Sequence, residues 1–289
     1  MDTKSLLKKI RTIELKTKGL SRQAFSGQYH SAFKGRGMAF SEVKDYQYGD
    51  DVRAIDWNVT ARFNDPYVKV YEEERELSVM LILDVSGSFG FGSVDQTKRE
   101  LLIEVAAVLA FSATMNNDKV GALFVSDRVE KYIPPKKGRT HVMRLLQDLI
   151  EFEPDSKGTA INEGLKFFRN VVKKRSIAFT VSDFIDDSNF LEGLTITNKK
   201  HDVVAVRLKD AVEQELPNVG LVRMFNAETG EKVWVNTSSK KAREAYAKQF
   251  ADFEHKLKTD FLKSGVDVVV LETGSQYIYA LNGFFMKRR

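Results

Sequence analysis

Hydroxyl and carboxylate side chains follow the apolar segments of this chain, and together they are suited to binding a hard divalent cation. Asp84, Ser86 and Ser88 come directly after one apolar segment, Asp183 follows another, and Thr159 lies in a polar loop between them. Mg²⁺ and Mn²⁺ prefer oxygen ligands of these kinds. The chain has no cysteine, which excludes thiolate metal sites, iron–sulfur clusters and disulfides.

The mixture of charged and neutral oxygens indicates what such an ion would do. Two carboxylates, Asp84 and Asp183, would neutralise a divalent cation only in part, so the ion would accept a further carboxylate from another molecule. A hydrolytic site more often adds a general base or nucleophile beside the metal. Each piece alone has a simpler explanation as a turn, a helix cap or a loop aspartate. It is the combination at one predicted sheet edge that favours a metal site.

Five short runs rich in β-branched residues predict strands buried on both faces. They span residues 77–83, 120–125, 177–181, 203–206 and 266–271. Between them, apolar residues recur with helical spacing over 98–115, 160–174 and 242–261, and the last helix is expected to stop near Gly265. Strands alternating with helices predict an α/β fold with a doubly wound, mostly parallel sheet, whose carboxyl strand ends bind ligands.

Two regions depart from this alternation. Residues 221–235 read as a hairpin around Glu228, Thr229 and Gly230, expected at an edge of the sheet. Residues 1–75 lack a regular alternation, although Leu6, Ile10 and Ile13 could line a short amphipathic helix. We therefore predict an N-terminal segment over 1–75 that packs on a sheet domain over 76–289.

The five candidate ligands resemble the metal-ion-dependent adhesion site of von Willebrand factor A domains. The resemblance implies that Ser86 and Ser88 bind the ion directly and that Thr159 binds it directly or in one conformation only. It implies that Asp84 and Asp183 act largely through waters, and that a partner protein supplies the remaining ligand, typically a carboxylate. Mg²⁺ is the expected cofactor, with Mn²⁺ as an alternative.

A second motif precedes the Asp84 strand and is more specific. The run from Gly49 to Trp57 has the pattern Gly-Asp-Asp-x-Arg-x-Ile-Asp-Trp. It is similar to the bacterial family known as domain of unknown function fifty-eight, whose members often accompany MoxR-type AAA+ ATPases. The residues that carry this motif are Gly49, Asp50, Asp51, Arg53, Asp56 and Trp57. Their physical role stays open between packing, which we favour, and contact with a partner.

Charge is distributed unevenly along the chain. The net charge is +5, yet residues 1–36 alone hold nine Lys and Arg against two Asp and Glu, so the remainder is slightly acidic. Three roles stay open for the basic N-terminus: a solvated helix, contact with an anionic membrane surface, or docking of an acidic partner. Without interleaved aromatics it does not resemble a nucleic-acid platform. No apolar run is long enough to span a membrane, so we expect a cytoplasmic protein.

Enzyme signatures are missing from the sequence. It has no phosphate-binding loop, dinucleotide fingerprint or nucleophile elbow, and its four histidines are scattered. We therefore predict a non-enzymatic interaction module with a Mg²⁺-dependent site, acting as adaptor or co-chaperone of a MoxR-type ATPase in the assembly or maturation of protein complexes. The alternative is a Mg²⁺-dependent phosphohydrolase that uses the same oxygen cluster.

Overall fold

The computed structural model describes most of the chain, as two compact units. The described residues are 8, 10–12, 14, 15, 32, 39–63, 65–72, 77–90, 96–186, 188–225 and 232–288. One unit contains residues 1–32 and 78–289, and the other contains residues 33–77.

The smaller unit is built on an antiparallel strand pair. Strand β1 (Ala39–Asp45) pairs with β2 (Tyr67–Glu72), and between them lie a 3₁₀ turn (Val52–Ala54) and helix α1 (Trp57–Phe63). These elements account for a region in which the sequence showed no regular alternation.

The larger unit contains a six-stranded sheet and a separate hairpin. The strands are β3 (Ser78–Asp84), β4 (Lys119–Val125), β5 (Val129–Lys136), β6 (Ile177–Ser182), β7 (Asp202–Lys209), β8 (Leu221–Phe225), β9 (Lys232–Asn236) and β10 (Asp267–Glu272). The sheet order is β10-β7-β6-β3-β4-β5. Only β5 runs antiparallel to its neighbour in this sheet. The five predicted strands and the doubly wound, mostly parallel sheet are thus confirmed.

Helices connect these strands, as β-branched strands buried on both faces require. They are α2 (Lys98–Met115), α3 (Arg139–Glu151), α4 (Ile161–Val171), α5 (Phe190–Asn198), α6 (Lys240–Ser264) and α7 (Tyr277–Lys287). Local signals set their limits. Thr97 and Glu100 form a capping box at the start of α2, Ser239 caps α6, and Gly265 ends α6 in the left-handed conformation with φ 65°.

The predicted edge hairpin forms, but not at an edge of the main sheet. Strands β8 and β9 pair only with each other, as a two-stranded sheet of their own. Periodicity in sequence identifies a hairpin but carries no information on which strand lies beside it. The predicted turn residues Glu228, Thr229 and Gly230 lie outside the described residues.

The N-terminal residues described between 8 and 15 are helical and belong to the larger unit. Ile10 is buried, as its predicted place on the apolar face of a helix requires, whereas Leu6 and Ile13 lie outside the described residues. Glu14 is also buried, where it forms an ion pair with Arg139 at the start of α3. Lys8 and Arg11 are exposed. No helix among the described residues is long and apolar enough to cross a membrane.

His201 gives the core a testable dependence on pH. The side chain is buried against the ring of Phe168, with centroids 4.5 Å apart, and its ring nitrogens have no hydrogen-bond partner in the described part of the chain. Burial, aided by the charges of Lys200, Arg169 and Arg175, lowers the pKa of His201 from 6.5 to about 4. The unfolded chain therefore binds one more proton than the folded chain between these values.

We expect the wild type to lose stability relative to His201→Met as pH falls from 6.5 to 4. Above pH 6.5 the imidazole is neutral in both the folded and the unfolded chain, so His201 does not lower the free energy of unfolding there. Between pH 6.5 and 4 we expect the free energy of unfolding to fall by about 2 kcal/mol because of His201. Urea unfolding at pH 7, 5.5 and 4.5 measures the difference between the two proteins, in which all other titrating groups cancel. Parallel stability curves for wild type and variant would contradict a buried neutral imidazole.

Candidate metal and partner-binding site

The candidate site lies at the point where the sheet reverses its strand order. The chain leaves β3 toward β4 on one side and leaves β6 toward β7 on the other, while β3 and β6 are themselves neighbours. In doubly wound sheets a crevice opens beyond the carboxyl ends of two such strands. Asp84 ends β3, Ser182 ends β6, and Asp183 follows directly.

Asp84 is a buried carboxylate held by hydrogen bonds from neutral groups. Its Oδ1 accepts from the backbone N–H of Ser86 at 3.0 Å, and its Oδ2 accepts from the hydroxyl of Ser182 at 2.6 Å. Burial and the negative charge of Asp183 raise the pKa of Asp84 to about 7, although hydrogen bonds from Ser182 and Ser86 oppose this rise. Negative charge at this sheet edge is therefore incompletely compensated, which is the electrostatic setting in which a cation binds.

Asp183 is also buried but has a basic partner. Its Oδ2 accepts from Nζ of Lys98 at 2.7 Å, and its Oδ1 accepts from the N–H of Ile185 at 3.1 Å. Lys98 makes a second ion pair, 2.6 Å long, with Glu213. Burial alone would lower the pKa of Lys98, but the two carboxylates outweigh it and the pKa is raised.

The backbone after Asp183 is constrained. Phe184 has φ 58°, in the left-handed region that a non-glycine residue rarely adopts. Its N–H donates to the hydroxyl of Ser182 at 2.9 Å, and its buried ring contacts Phe190 and Phe261 at centroid distances of 5.5 and 5.1 Å. Core packing of Phe184 therefore fixes the loop that carries Asp183.

Two loops bring hydroxyl groups toward this edge. Ser86 is buried, next to a 3₁₀ turn (Gly87–Gly90) that contains Ser88, whose side chain lies outside the described residues. The N–H of Gly87 donates to the carbonyl of Lys157 at 2.9 Å, and the N–H of Ala160 donates to the carbonyl of Ser126 at 2.8 Å. These bonds hold the Thr159 loop between the ends of β3 and β4.

Helix α4, which follows Thr159, is not capped by that residue. Its N-cap is Ala160, and the N–H of Ile161 donates instead to Asp186 at 2.8 Å. Gly164 allows α4 to approach the sheet, because a Cβ at this position would meet Val125 at 2.6 Å. Thr159 is thus not needed as a helix cap.

A cavity of about 240 Å³ opens beside Asp84 and Ser86. Gly87, Arg99 and Lys157 contribute to its lining, with apolar residues of α2 and α3. Asp183 and Thr159 are not among the lining residues. No cluster of three or more His, Cys, Asp or Glu side chains suited to a metal ion occurs in the described ranges, so an ion here would rely on hydroxyl oxygens as well.

The structure brings together some of the predicted ligands and adds residues that sequence reasoning missed. Asp84 accepts a hydrogen bond from Ser86 and senses the charge of Asp183, and the Thr159 loop is tethered to the loop that follows Asp84. Ser182, Lys98 and Glu213 were missed. Ser182 was visible as a hydroxyl next to Asp183, whereas nothing in the sequence connects Lys98 or Glu213 to Asp183. The assignment of a metal ion to this cluster stays a prediction.

The second motif forms a turn and two helix caps in the smaller unit. Gly49 has φ 109°, and Asp50 accepts from the N–H of Gln47 and from Nζ of Lys44, both at 2.9 Å. The hydrogen bond from Lys44 lowers the pKa of Asp50. Asp51 caps the 3₁₀ turn by accepting from the N–H of Arg53 at 2.9 Å.

The same motif continues into α1. Asp56 caps this helix by accepting from the N–H groups of Asn58 and Val59 at 3.0 and 3.3 Å. Among the described residues Arg53 forms no ion pair, with Asp56 or with any other residue. Trp57 is 70% exposed. Local backbone geometry thus accounts for the glycine and the acids, and leaves the tryptophan side chain on the surface.

Comparison with known proteins identifies the family. Residues 42–256 match the family model described as protein of unknown function DUF58. An uncharacterised protein of Mycobacterium tuberculosis is 31% identical over 232 residues, which span 80% of this chain and 73% of the relative.

Two solved structures align with this chain at low sequence identity. An aerotolerance-related membrane protein from Bacteroides fragilis aligns with a TM-score of 0.50 and 15% identity, over 73% of this chain and 99% of its own. The VWA domain of SpRpn10 aligns with a TM-score of 0.40 and 10% identity, over 73% of this chain and 94% of its own.

The DUF58 family model covers most of this chain, residues 42–256 of 289, and the chain therefore belongs to the DUF58 family.

Proposed function

We propose that this protein is a non-enzymatic interaction module whose partner supplies a carboxylate to a divalent cation bound beside Asp84. The von Willebrand factor A-like fold supports a protein-interaction module. The observation that carries the proposal is the pair of buried carboxylates at the switch point. Burial and the charge of Asp183 raise the pKa of Asp84, and a cavity lies next to Asp84 and Ser86.

The donor set fits Mg²⁺ or Mn²⁺. Carboxylate and hydroxyl oxygens are hard ligands, and Mg²⁺ usually keeps several waters, so two buried carboxylates need not contact it directly. Ser86 and Ser88 are the proposed direct ligands, and Thr159 is proposed to bind the ion directly or in one conformation only. The ion, when bound, supplies positive charge that attracts a carboxylate from the partner.

The residues of the chain prepare this site in three ways. Ser182 and the N–H of Ser86 orient the Asp84 carboxylate, and Lys98 orients that of Asp183. The Gly87–Lys157 hydrogen bond joins the two hydroxyl-bearing loops. The 240 Å³ cavity is large enough to admit a carboxylate side chain of a partner.

A MoxR-type AAA+ ATPase is the proposed partner, with this chain as its adaptor or co-chaperone in the cytoplasm. This follows from the family resemblance of the Gly49–Trp57 motif. The exposed indole of Trp57 offers an apolar contact of the kind that anchors protein interfaces. We propose no nucleic-acid partner, because the excess of basic residues is concentrated in residues 1–36 and the rest of the chain is slightly acidic.

Co-precipitation with the cognate ATPase tests this function. We expect binding in Mg²⁺, loss of binding in EDTA, and loss with Asp84→Ala in either buffer. Asp252→Ala, which removes an exposed carboxylate on α6, is the control and should bind like wild type. Binding indifferent to both EDTA and Asp84→Ala would rule out the metal-dependent site. Hydrolysis of a generic phosphatase substrate, lost in Asp84→Asn, would support the phosphohydrolase alternative instead.

A further inference from the structure

Lys98 occupies an unusual position for a lysine. It is the first residue of α2, and its side chain is only 1% exposed. Its Nζ lies 2.7 Å from Oδ2 of Asp183, 2.6 Å from Oε1 of Glu213 and 5.7 Å from the centroid of the Phe89 ring. The Lys98 ammonium is thus enclosed on several sides, and it contacts Asp183, one of the two carboxylates of the candidate metal site.

Local physics does not favour a lysine at this position. The N-terminal end of a helix is electrically positive, so a cation there is unfavourable. The helix start is already satisfied by the capping box of Thr97 and Glu100. Burial of an ammonium group is costly unless it is paired. The two carboxylates therefore account for Lys98, whereas the helix does not.

Glu213 competes with Asp183 for the Lys98 charge. Glu213 ends a 3₁₀ turn (Ala211–Glu213) after β7, and its other carboxylate oxygen accepts from the N–H of Asp210 at 3.0 Å. Its carbonyl accepts from the hydroxyl of Tyr246 on α6 at 3.1 Å. These bonds hold Glu213 in place, so the ammonium is shared between two fixed acceptors.

We infer that Lys98 is an internal cation that sets how tightly the Asp84–Asp183 site binds its divalent ion. This inference rests on the proposed metal-dependent function and concerns the regulation of the same site. The ammonium neutralises part of the Asp183 charge and repels a second cation nearby. Glu213 draws the ammonium away from Asp183 and so preserves part of that charge for the metal. The result is a weak site, which a partner carboxylate can complete.

Lys98 and Glu213 should therefore have opposite effects on the affinity of the site for a divalent ion. Lys98→Met removes the competing charge with a side chain of similar length, and we expect Mg²⁺ to bind at least about tenfold more tightly. Glu213→Gln leaves the ammonium to Asp183 alone, and we expect binding about tenfold weaker. Lys98→Arg keeps the charge and is the matched control.

Metal binding by the full-length chain tests this directly. Calorimetry with Mg²⁺, and electron paramagnetic resonance with Mn²⁺, measure the dissociation constants of wild type and the three variants. The expected order of affinity is Lys98→Met, then wild type and Lys98→Arg, then Glu213→Gln. If Lys98→Met does not fold in the absence of metal, the metal affinity of Glu213→Gln is compared with that of wild type. Weaker binding by Glu213→Gln then supports the inference, and equal binding overturns it.

The contrary outcomes of these binding measurements distinguish an error in the role of Lys98 from an error in the proposed metal site. Equal affinity in wild type, Lys98→Met and Glu213→Gln would leave the metal site intact and overturn the role of Lys98. Weaker binding in Lys98→Met would also overturn it, since the lysine would then act only by positioning Asp183. No binding of either ion by any of these proteins would remove the metal site, and with it both proposals.

Discussion

The substitution Asp84→Asn is expected to abolish the stabilisation by Mg²⁺ and, without metal, to make the protein more stable at pH 8. A carboxyl group with a raised pKa stabilises the fold fully below its unfolded value of 3.8, and this contribution is lost as pH rises through about 7. The shift corresponds to at most roughly 4 kcal/mol at pH 8. Asparagine cannot ionise but loses charge-assisted hydrogen bonds, so we expect a net gain of about 1–3 kcal/mol.

Thermal unfolding at pH 8 and pH 4, with and without Mg²⁺, measures both effects. Wild type at saturating Mg²⁺ should gain about 2–3 kcal/mol, and Asp84→Asn should gain nothing. Ser86→Ala is the matched comparison, because it removes a proposed ligand while Asp84 keeps its charge. This variant should lose the Mg²⁺ response without becoming more stable in metal-free buffer. A Mg²⁺ response that survives in Asp84→Asn would show that the ion binds elsewhere.

Phe261→Ala is expected to cause the largest loss of stability among the changes considered. Only Leu257 and Phe261 are buried among the 25 residues of α6, so this long helix depends on few side chains for its attachment. The Phe261 ring packs at right angles to Phe184, with centroids 5.1 Å apart. Truncation of a buried phenylalanine costs about 3–5 kcal/mol, and chemical denaturation measures this loss.

Leu262→Ala provides the control for the same helix turn. Leu262 is 76% exposed, and its truncation should change stability by less than about 0.5 kcal/mol. Because Phe184 directly follows Asp183, Phe261→Ala should also reduce the Mg²⁺ response of the folded protein. An unchanged response would show that the Asp183 loop keeps its geometry without this packing.

The central sheet could be predicted because its strands are buried on both faces. Continuous apolar runs such as those of β3 and β6 have few explanations other than an internal parallel strand. Strand β5 was missed for the opposite reason, since it is half-exposed, charged and contains Pro134 and Pro135. Helix α5 was missed because it has only nine residues, too few to establish a helical period.

The candidate site was predictable only where chemistry and strand ends coincide. Asp84 and Asp183 each follow an apolar strand, so the parallel topology alone brings them to one edge. Lys98, at a helix start, reaches Asp183 across 85 residues of sequence, and Glu213, in a short 3₁₀ turn, reaches Lys98 across 115 residues. Such contacts depend on tertiary packing, which periodicity does not encode.

The antiparallel strand β5 has a consequence for self-association. It forms one outer edge of the six-stranded sheet, and its two consecutive prolines lack the N–H groups that an added strand would need. Proline at a sheet edge is a recognised protection against aggregation between sheets. The opposite edge strand, β10, contains no proline. If copies of this protein ever join by strand addition, in stress or at high concentration, the β10 edge is where we expect them to meet.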